Sequence, residues 1–341
     1  MCPKDNHLSS VDLAAPFRIG PVIIRNRVVL APLSGITDLP FRKLAWRHGA
    51  GMVVTEMVAS RELVNNTAES LIRLKGEGVF PHVVQLAGCE AHWMAEAARI
   101  AESSGADIID INMGCPAKKV IGGASGSALM RDPDHALSLI EATVAAVSVP
   151  VTLKMRLGWD HDTINAPLIA RRAEQAGIKL VTVHGRTRMQ FYEGRADWDA
   201  IAAVRDVISV PLIANGDVET RADALEILRR SGADAVMVGR ACQGRPWHAG
   251  TLAGSAAPRS QEIADIACDH YGAMIEYYGE GVAVRHARKH LGWYLERFAP
   301  RQSVEDRVAI MTSRDSSFVL AALRQALSVN MLAENRHQEA A

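Results

Sequence analysis

Cysteine is scarce in this chain and never paired. The five residues (Cys2, Cys89, Cys115, Cys242 and Cys268) are an odd number with no C-x-x-C spacing, which argues against a disulfide framework and against a structural zinc site. Net charge is lacking too. Lys and Arg total 38, as do Asp and Glu, so no global field draws the protein to nucleic acid or to an acidic membrane. A polyanionic partner would have to be met by local basic patches. The first residues, M-C-P-K-D-N-H-L-S-S, have no apolar core of the kind a signal peptide needs, and no run reaches membrane-spanning length. No G-x-G-x-x-G follows any apolar run, which argues against a dinucleotide fold of the Rossmann type. The expectation is a monomer in the reducing cytoplasm, with no membrane contact and no metal.

Short runs rich in Val, Ile and Leu are plentiful. They fall at 28–32, 52–55, 82–86, 107–112, 150–155, 179–184, 211–215 and 234–238. Each is almost continuously apolar, as expected of parallel strands covered on both faces. Amphipathic stretches such as 91–104 and 134–147 lie between them. Eight strand–helix units predict a (β/α)8 TIM barrel, an α/β fold, over residues 1–250. S-G-A-D precedes both the fourth and the eighth run. That is the echo a doubled half-barrel would leave, or only glycine ending helices before strands. Residues 245–260 are rich in small residues and proline, like a linker. Helical periodicity alone remains beyond them, predicting a small helical domain over 260–335.

In such a barrel the chemistry belongs at the C-terminal ends of the strands. Those ends carry Gln85, Asn112, Lys154, His184 and Asn215, polar groups that converge on one mouth. Any one of them, His184 included, could be an ordinary hydrogen-bonded core residue; together they indicate a site. Gly216, in N-G-D at 215–217, and Gly239, before Arg240, follow the seventh and eighth strands. There barrels commonly build a phosphate site from loop amides, and Arg240 would add a bidentate donor. Amides suited to a heterocycle edge, a phosphate anchor and the cation of Lys154 fit FMN better than a dinucleotide.

Cys115 lies three residues past Asn112, between Gly114 and Pro116, before a glycine-containing segment that reads as a lid. A thiol of unperturbed pKa near 8.5 is roughly 97% protonated at pH 7, which suits a proton donor; a nucleophile would need a lowered pKa. Beside a flavin, hydride reaches one carbon of a double bond and the thiol protonates its neighbour.

The run N-M-G-C-P-A-K-K-V (112–120), continued by G-S-A-L-M-R-D-P (126–133), resembles the signature of the tRNA-dihydrouridine synthases. A-P-L-S-G-I-T-D-L-P-F-R (31–42) is similar to that family's first flavin loop. K-M-R (154–156), V-H-G-R-T (183–187), N-G-D and V-G-R (238–240) follow in the family's order. The resemblance covers essentially the whole chain and is nearest the bacterial B subgroup. It implies flavin contacts from Pro32, Leu33, Ser34, Gln85, Lys154, Asn215, Gly216, Asp217, Gly239 and Arg240. His184 and Asn112 would lie on the flavin-ring or uracil side with Arg156, and Cys115 would be the general acid. Leu33 stands where the family usually has Met; the apolar volume is kept. The implied activity is reduction of tRNA uridine to 5,6-dihydrouridine: NADPH reduces FMN, hydride goes to C6 and Cys115 protonates C5. The base must first be extruded from the folded RNA.

The tail from 260 is not basic overall, yet Arg285, Arg288 and Lys289 are spaced to share one helix face. That face could hold tRNA phosphates or be an ordinary solvated one. Lys118 and Lys119 on the lid could add phosphate contacts. Three rivals stay open on residues alone: a flavin enzyme acting on a free pyrimidine, an aldolase-type lyase using Lys154, and an RNA-binding protein with a relic barrel.

Overall fold

The computed structural model describes residues 11–117 and 124–338. The chain opens with an antiparallel hairpin, β1 (Phe17–Ile19) and β2 (Val22–Ile24), paired Phe17 to Ile24. The main sheet follows: β3 (Val28–Leu30), β4 (Met52–Val53), β5 (Val58–Ala59), β6 (Val83–Ala87), β7 (Ile108–Met113), β8 (Val151–Arg156), β9 (Val181–His184), β10 (Leu212–Asn215) and β11 (Ala235–Val238). Its pairing order is β4-β3-β11-β10-β9-β8-β7-β6-β5, and every pair is parallel. A parallel bridge from Val54 to Val83 and the bond from Thr55 N–H to Val83 C=O close the ring. The fold is the expected α/β barrel of TIM type, with the second strand broken so that its far end, β5, pairs separately with β6.

Side-chain alternation sorts two cores. Val84, Ile109, Leu153, Val183 and Ala214 face outward and pack against the surrounding helices. Val29, Met52, Val83, Ile108, Leu180, Ile213 and Ala235 face inward and meet Ile19 and Ile24, all in one buried cluster. The hairpin therefore plugs the N-terminal end of the barrel with aliphatic side chains, a role its short, mixed sequence did not announce. Above that floor the lining turns polar, with Gln85, Asp110, Thr152 and Thr182 all buried. Barrels are ordinarily filled by branched apolar layers. Buried polar side chains persist only when hydrogen-bonded.

Beyond the helix His248–Ala253 the chain forms helices Ser260–Tyr278, Glu280–Phe298, Val304–Thr312 and Ser316–Gln338. They share an apolar core running from Ile263 to Leu327, which also takes in Leu44 and Trp247 from the barrel side. Tyr277 donates to the carbonyl of Ile72 at 2.6 Å, a second tie between helices and barrel. Among the described residues no helix is long and apolar enough to cross a membrane.

Candidate active site

At the C-terminal ends of the strands lies a cavity of about 480 Å³. Every barrel-mouth residue singled out above lines it: Pro32, Leu33, Ser34, Gln85, Asn112, Cys115, Lys154, Arg156, His184, Asn215, Gly216, Asp217, Gly239 and Arg240. Lys118 and Lys119, with most of the expected lid, lie outside the described residues.

The wall formed by β6, β7 and β8 is one directed chain of hydrogen bonds. Asp110 accepts from Thr152 Oγ1 at 2.6 Å and from Gln85 Nε2 at 2.8 Å. Gln85 Oε1 accepts from Asn112 Nδ2 at 2.7 Å. Asn112 Oδ1 then accepts the backbone N–H of Gly114 at 3.1 Å and of Cys115 at 3.0 Å. A carboxylate can only accept. Asp110 therefore sets which end of Gln85 and then of Asn112 carries the oxygen, and the chain ends by holding the backbone of Cys115. The Cys115 carbonyl is held in turn by Ser127, from N–H at 3.1 Å and from Oγ at 2.9 Å. Burial pushes the Asp110 carboxyl up, against the hydrogen bonds from Gln85 and Thr152 and the charge of Lys154.

Cations fill the opposite wall. Lys154 keeps a little accessible surface along the cavity but is densely surrounded, and burial with the neighbouring Arg156 pushes its amine down to about 8. It reaches Asn215 Oδ1 at 3.4 Å, while Asn215 Nδ2 donates to the Met237 carbonyl at 2.8 Å. Arg156 is fully buried and pairs with no carboxylate among the described residues. Its Nε donates to the Gly114 carbonyl and its Nη1 to those of Thr187 and Phe191, each at 2.8 Å. It thus clamps the cysteine loop to the loop after β9. Burial holds its guanidinium down to about 10. Burial and then the charges of Arg156, Lys154, Arg186 and Arg240 hold His184 well below its ordinary value.

The glycine after β10 has a geometric reason. Gly216 sits at φ +127°, and a Cβ there would lie 2.6 Å from the Ala196 Cβ and 3.0 Å from His184 Cδ2. Its carbonyl accepts from Trp198 Nε1 at 2.9 Å. Asp217 organises the site from beneath, accepting from Arg186 at 2.6 Å, from the Ala196 N–H at 2.8 Å and from Arg240 at 3.0 Å. Burial alone would raise its carboxyl, but those bonds and the two arginine charges hold it low. Arg240 stays half exposed at the rim, where it and Arg156 also flank the ring of Tyr192. The first loop is braced by Gly35 N–H to Glu56 Oε1 at 2.5 Å and by Leu33 N–H to Thr37 Oγ1 at 2.9 Å.

The three tail cations separate. Arg285 is exposed, Lys289 lies beside Gly35 of the first loop, and Arg288 is half-buried, donating to the Thr312 carbonyl at 3.3 Å. They do not form the single open cationic face expected from spacing, because Arg288 turns toward the neighbouring helix. Sequence reasoning also passed over Asp110, Ser127, Arg186 and Trp198. Asp110 was findable, since it shares the inward face of β7 with Asn112 two residues on. Ser127 and Trp198 carry no such signal. Among the described residues no group of three or more His, Cys, Asp or Glu could hold a metal ion.

A profile of the family described as Dihydrouridine synthase (Dus) matches residues 29–332. A protein of Rhizobium leguminosarum named "Probable tRNA-dihydrouridine synthase" is 76% identical over 309 residues, covering 91% of this chain and 98% of its own. One of the same name from Rhodobacter capsulatus is 55% identical, over 88% and 94% of the two chains. The "tRNA-dihydrouridine synthase B" of Pseudomonas aeruginosa is 44% identical over 90% of this chain and 95% of its own. Among solved structures, histamine dehydrogenase from Rhizobium sp. 4-9 superposes with TM-score 0.54 at 14% identity, over 83% of this chain and 51% of that one. At that identity the likeness speaks for the barrel alone. The chain belongs to the dihydrouridine synthase family, on the side of its bacterial B subgroup.

Proposed function

We propose that this chain is a tRNA-dihydrouridine synthase that holds FMN across the barrel mouth, takes its reducing power from NADPH, and uses Cys115 as general acid. Family membership and the names of its relatives support the substrate. The observation that carries the chemistry is the convergence of a positioned thiol, a buried lysine and an imidazole on one cavity. Free-pyrimidine and lyase readings lose ground to that membership, although the lowered Lys154 by itself would suit a Schiff base.

The donor set fits a flavin. Pro32, Leu33 and Ser34 offer the first loop's wall, Gln85 and Asn215 offer amides, and Lys154 offers a cation for an electron-rich ring. Gly216 removes a side chain where one would collide, Gly239 leaves its stretch of wall open, and Arg240, tethered by Asp217, offers a phosphate partner. A flavin held by these residues and reduced by NADPH would supply hydride to C6 of a uracil ring. Cys115 delivers the proton to C5, and its position is fixed from both sides of the backbone by Asn112 and Ser127. Arg156 keeps the cysteine loop and the loop after β9 at constant separation. With Asn112 it stands on the substrate side.

Residues 1–250 form the catalytic domain in this reading, and 260–335 dock the RNA. Arg285 and Lys289 are the tail cations that remain candidates for phosphate contact, Lys289 because it reaches the rim of the mouth. The test is Cys115→Ala. Purified protein should be yellow and oxidise NADPH in both forms, while dihydrouridine formation in unmodified tRNA falls about 10²–10⁴-fold in the variant. A colourless wild-type protein, or a variant as active as wild type, ends the proposal.

A further inference from the structure

We propose that Arg186 is a positioning residue that fixes His184 in one tautomer, neutral with its proton on Nδ1, so that the ring offers the cavity one N–H donor and no acidic proton. Arg186 Nη1 lies 3.3 Å from His184 Nε2. A guanidinium has donors and no acceptor, so this contact bonds only when Nε2 carries a lone pair. A proton on Nε2, in the other tautomer or in the imidazolium, would set two N–H groups head to head in a closed space.

Arg186 cannot turn away. Its side chain is 1% exposed, and its remaining nitrogens are committed to the Glu193 carbonyl at 3.1 Å, the Gly194 carbonyl at 2.6 Å and Asp217 Oδ2 at 2.6 Å. The ring of His184 is itself wedged, with Cδ2 only 3.0 Å from where a Cβ on Gly216 would lie. Nδ1 has no protein partner among the described residues, and it is not among the sealed polar atoms without one. The ring lines the cavity, and in this proposal Nδ1 is the atom that faces it. The charges facing the ring (Lys154 and Arg156 from β8, Arg186 from its own loop, Arg240 after β11) all oppose a second proton. Asp217, which holds Arg186, is spent on Arg186 and Arg240.

The ligand atom this donor fits is a carbonyl oxygen or an unprotonated ring nitrogen of a bound heterocycle. If the proposed function holds, His184 is an orienting group and the proton comes from the Cys115 thiol. The tautomer itself does not depend on that reading.

The experiment is nitrogen NMR of the full chain carrying 15N-labelled histidine, with His184 assigned by its loss in His184→Asn. The expected result is a pyridine-like Nε2 and a pyrrole-like Nδ1, unchanged between pH 6 and pH 8. In Arg186→Met, folding being checked by circular dichroism, the pattern should give way to a tautomer mixture. A protonated Nε2 in the wild-type protein overturns the proposal even if the variant fails to fold, and a folded variant that keeps the wild-type pattern overturns the role of Arg186. His184→Asn, whose amide can stand in for an Nδ1–H donor, should retain flavin at least tenfold more tightly than His184→Gln, and the reverse order counts against the donor assignment. A colourless wild-type protein would instead fail the flavin reading and leave the NMR result standing.

Discussion

Replacing Asn112 by Asp changes one atom's chemistry and almost no volume, yet it should break the direction of the wall behind Cys115. The new carboxylate still accepts from the Gly114 and Cys115 N–H groups, 3.1 and 3.0 Å away. Toward Gln85 it presents an oxygen where an N–H had donated over 2.7 Å. If Gln85 flips to donate, its own oxygen meets Asp110 across the 2.8 Å now bridged by Nε2. One junction is acceptor against acceptor either way, unless a carboxyl takes up a proton. A buried group left unsatisfied costs about 1–3 kcal/mol, and more when charged, so a loss of roughly 2–4 kcal/mol is expected at pH 8. With an unfolding entropy of about 2.1 cal/mol/K per residue over 341 residues, this lowers Tm by roughly 3–6 °C. The proton that repairs the junction raises that carboxyl's folded pKa above its unfolded value near 3.9. Stability from such a group is present at low pH and lost as pH climbs through the folded pKa. The variant should therefore approach wild type at pH 5 and fall behind it toward pH 8. Thermal unfolding by circular dichroism at both values reads this out, with hydrogen exchange at the Cys115 amide as the local probe. A variant equally stable at pH 8, with that amide protected as in wild type, refutes the directed-chain argument.

Three further outcomes follow from the same geometry. Lys154, pushed down to about 8 from 10.5 in the folded chain, carries a burial penalty of roughly 3 kcal/mol while charged. Stability of the flavin-free protein should rise between pH 8 and 10.5 and FMN affinity fall over the same rise; Lys154→Met should remove both trends and raise the Tm of the flavin-free protein at pH 7, checked by calorimetry and by fluorescence titration with FMN. Gly216→Ala adds a Cβ 2.6 Å from that of Ala196 at a φ of +127°, costing about 1–3 kcal/mol in backbone strain alone, and should lower FMN content at least tenfold by absorbance. Trp198→Phe removes the 2.9 Å bond to the Gly216 carbonyl and should cost about 1 kcal/mol in denaturant unfolding, with FMN binding weakened far less than by Gly216→Ala.

Much of the molecule was legible because its signals are local. Parallel strands buried on both faces appear as short apolar runs, and the eight runs match the eight staves of the barrel to within a residue or two at most ends. Strand polarity then puts the end of each run at one mouth, which is why Asn112, Lys154, His184 and Asn215 could be placed on a common site from the sequence. Cys115 was legible from its neighbours on the loop.

What the sequence could not reveal depends on contacts between segments far apart in the chain. The hairpin at 17–24 is a floor only because Ile19 and Ile24 meet Ile108, Leu180 and Ile213 inside a closed ring. Asp110 acquires its role through Gln85 and Thr152 on the two neighbouring strands, and Arg186 through Asp217, 31 residues on. Spacing along the 280–298 helix predicted one cationic face, but packing against the next helix turned Arg288 aside. Periodicity determines which residues face inward, because backbone geometry alone imposes it. Which inward polar groups bond to one another, and in which direction the protons lie, was decided only when the ring closed and water was excluded from its interior.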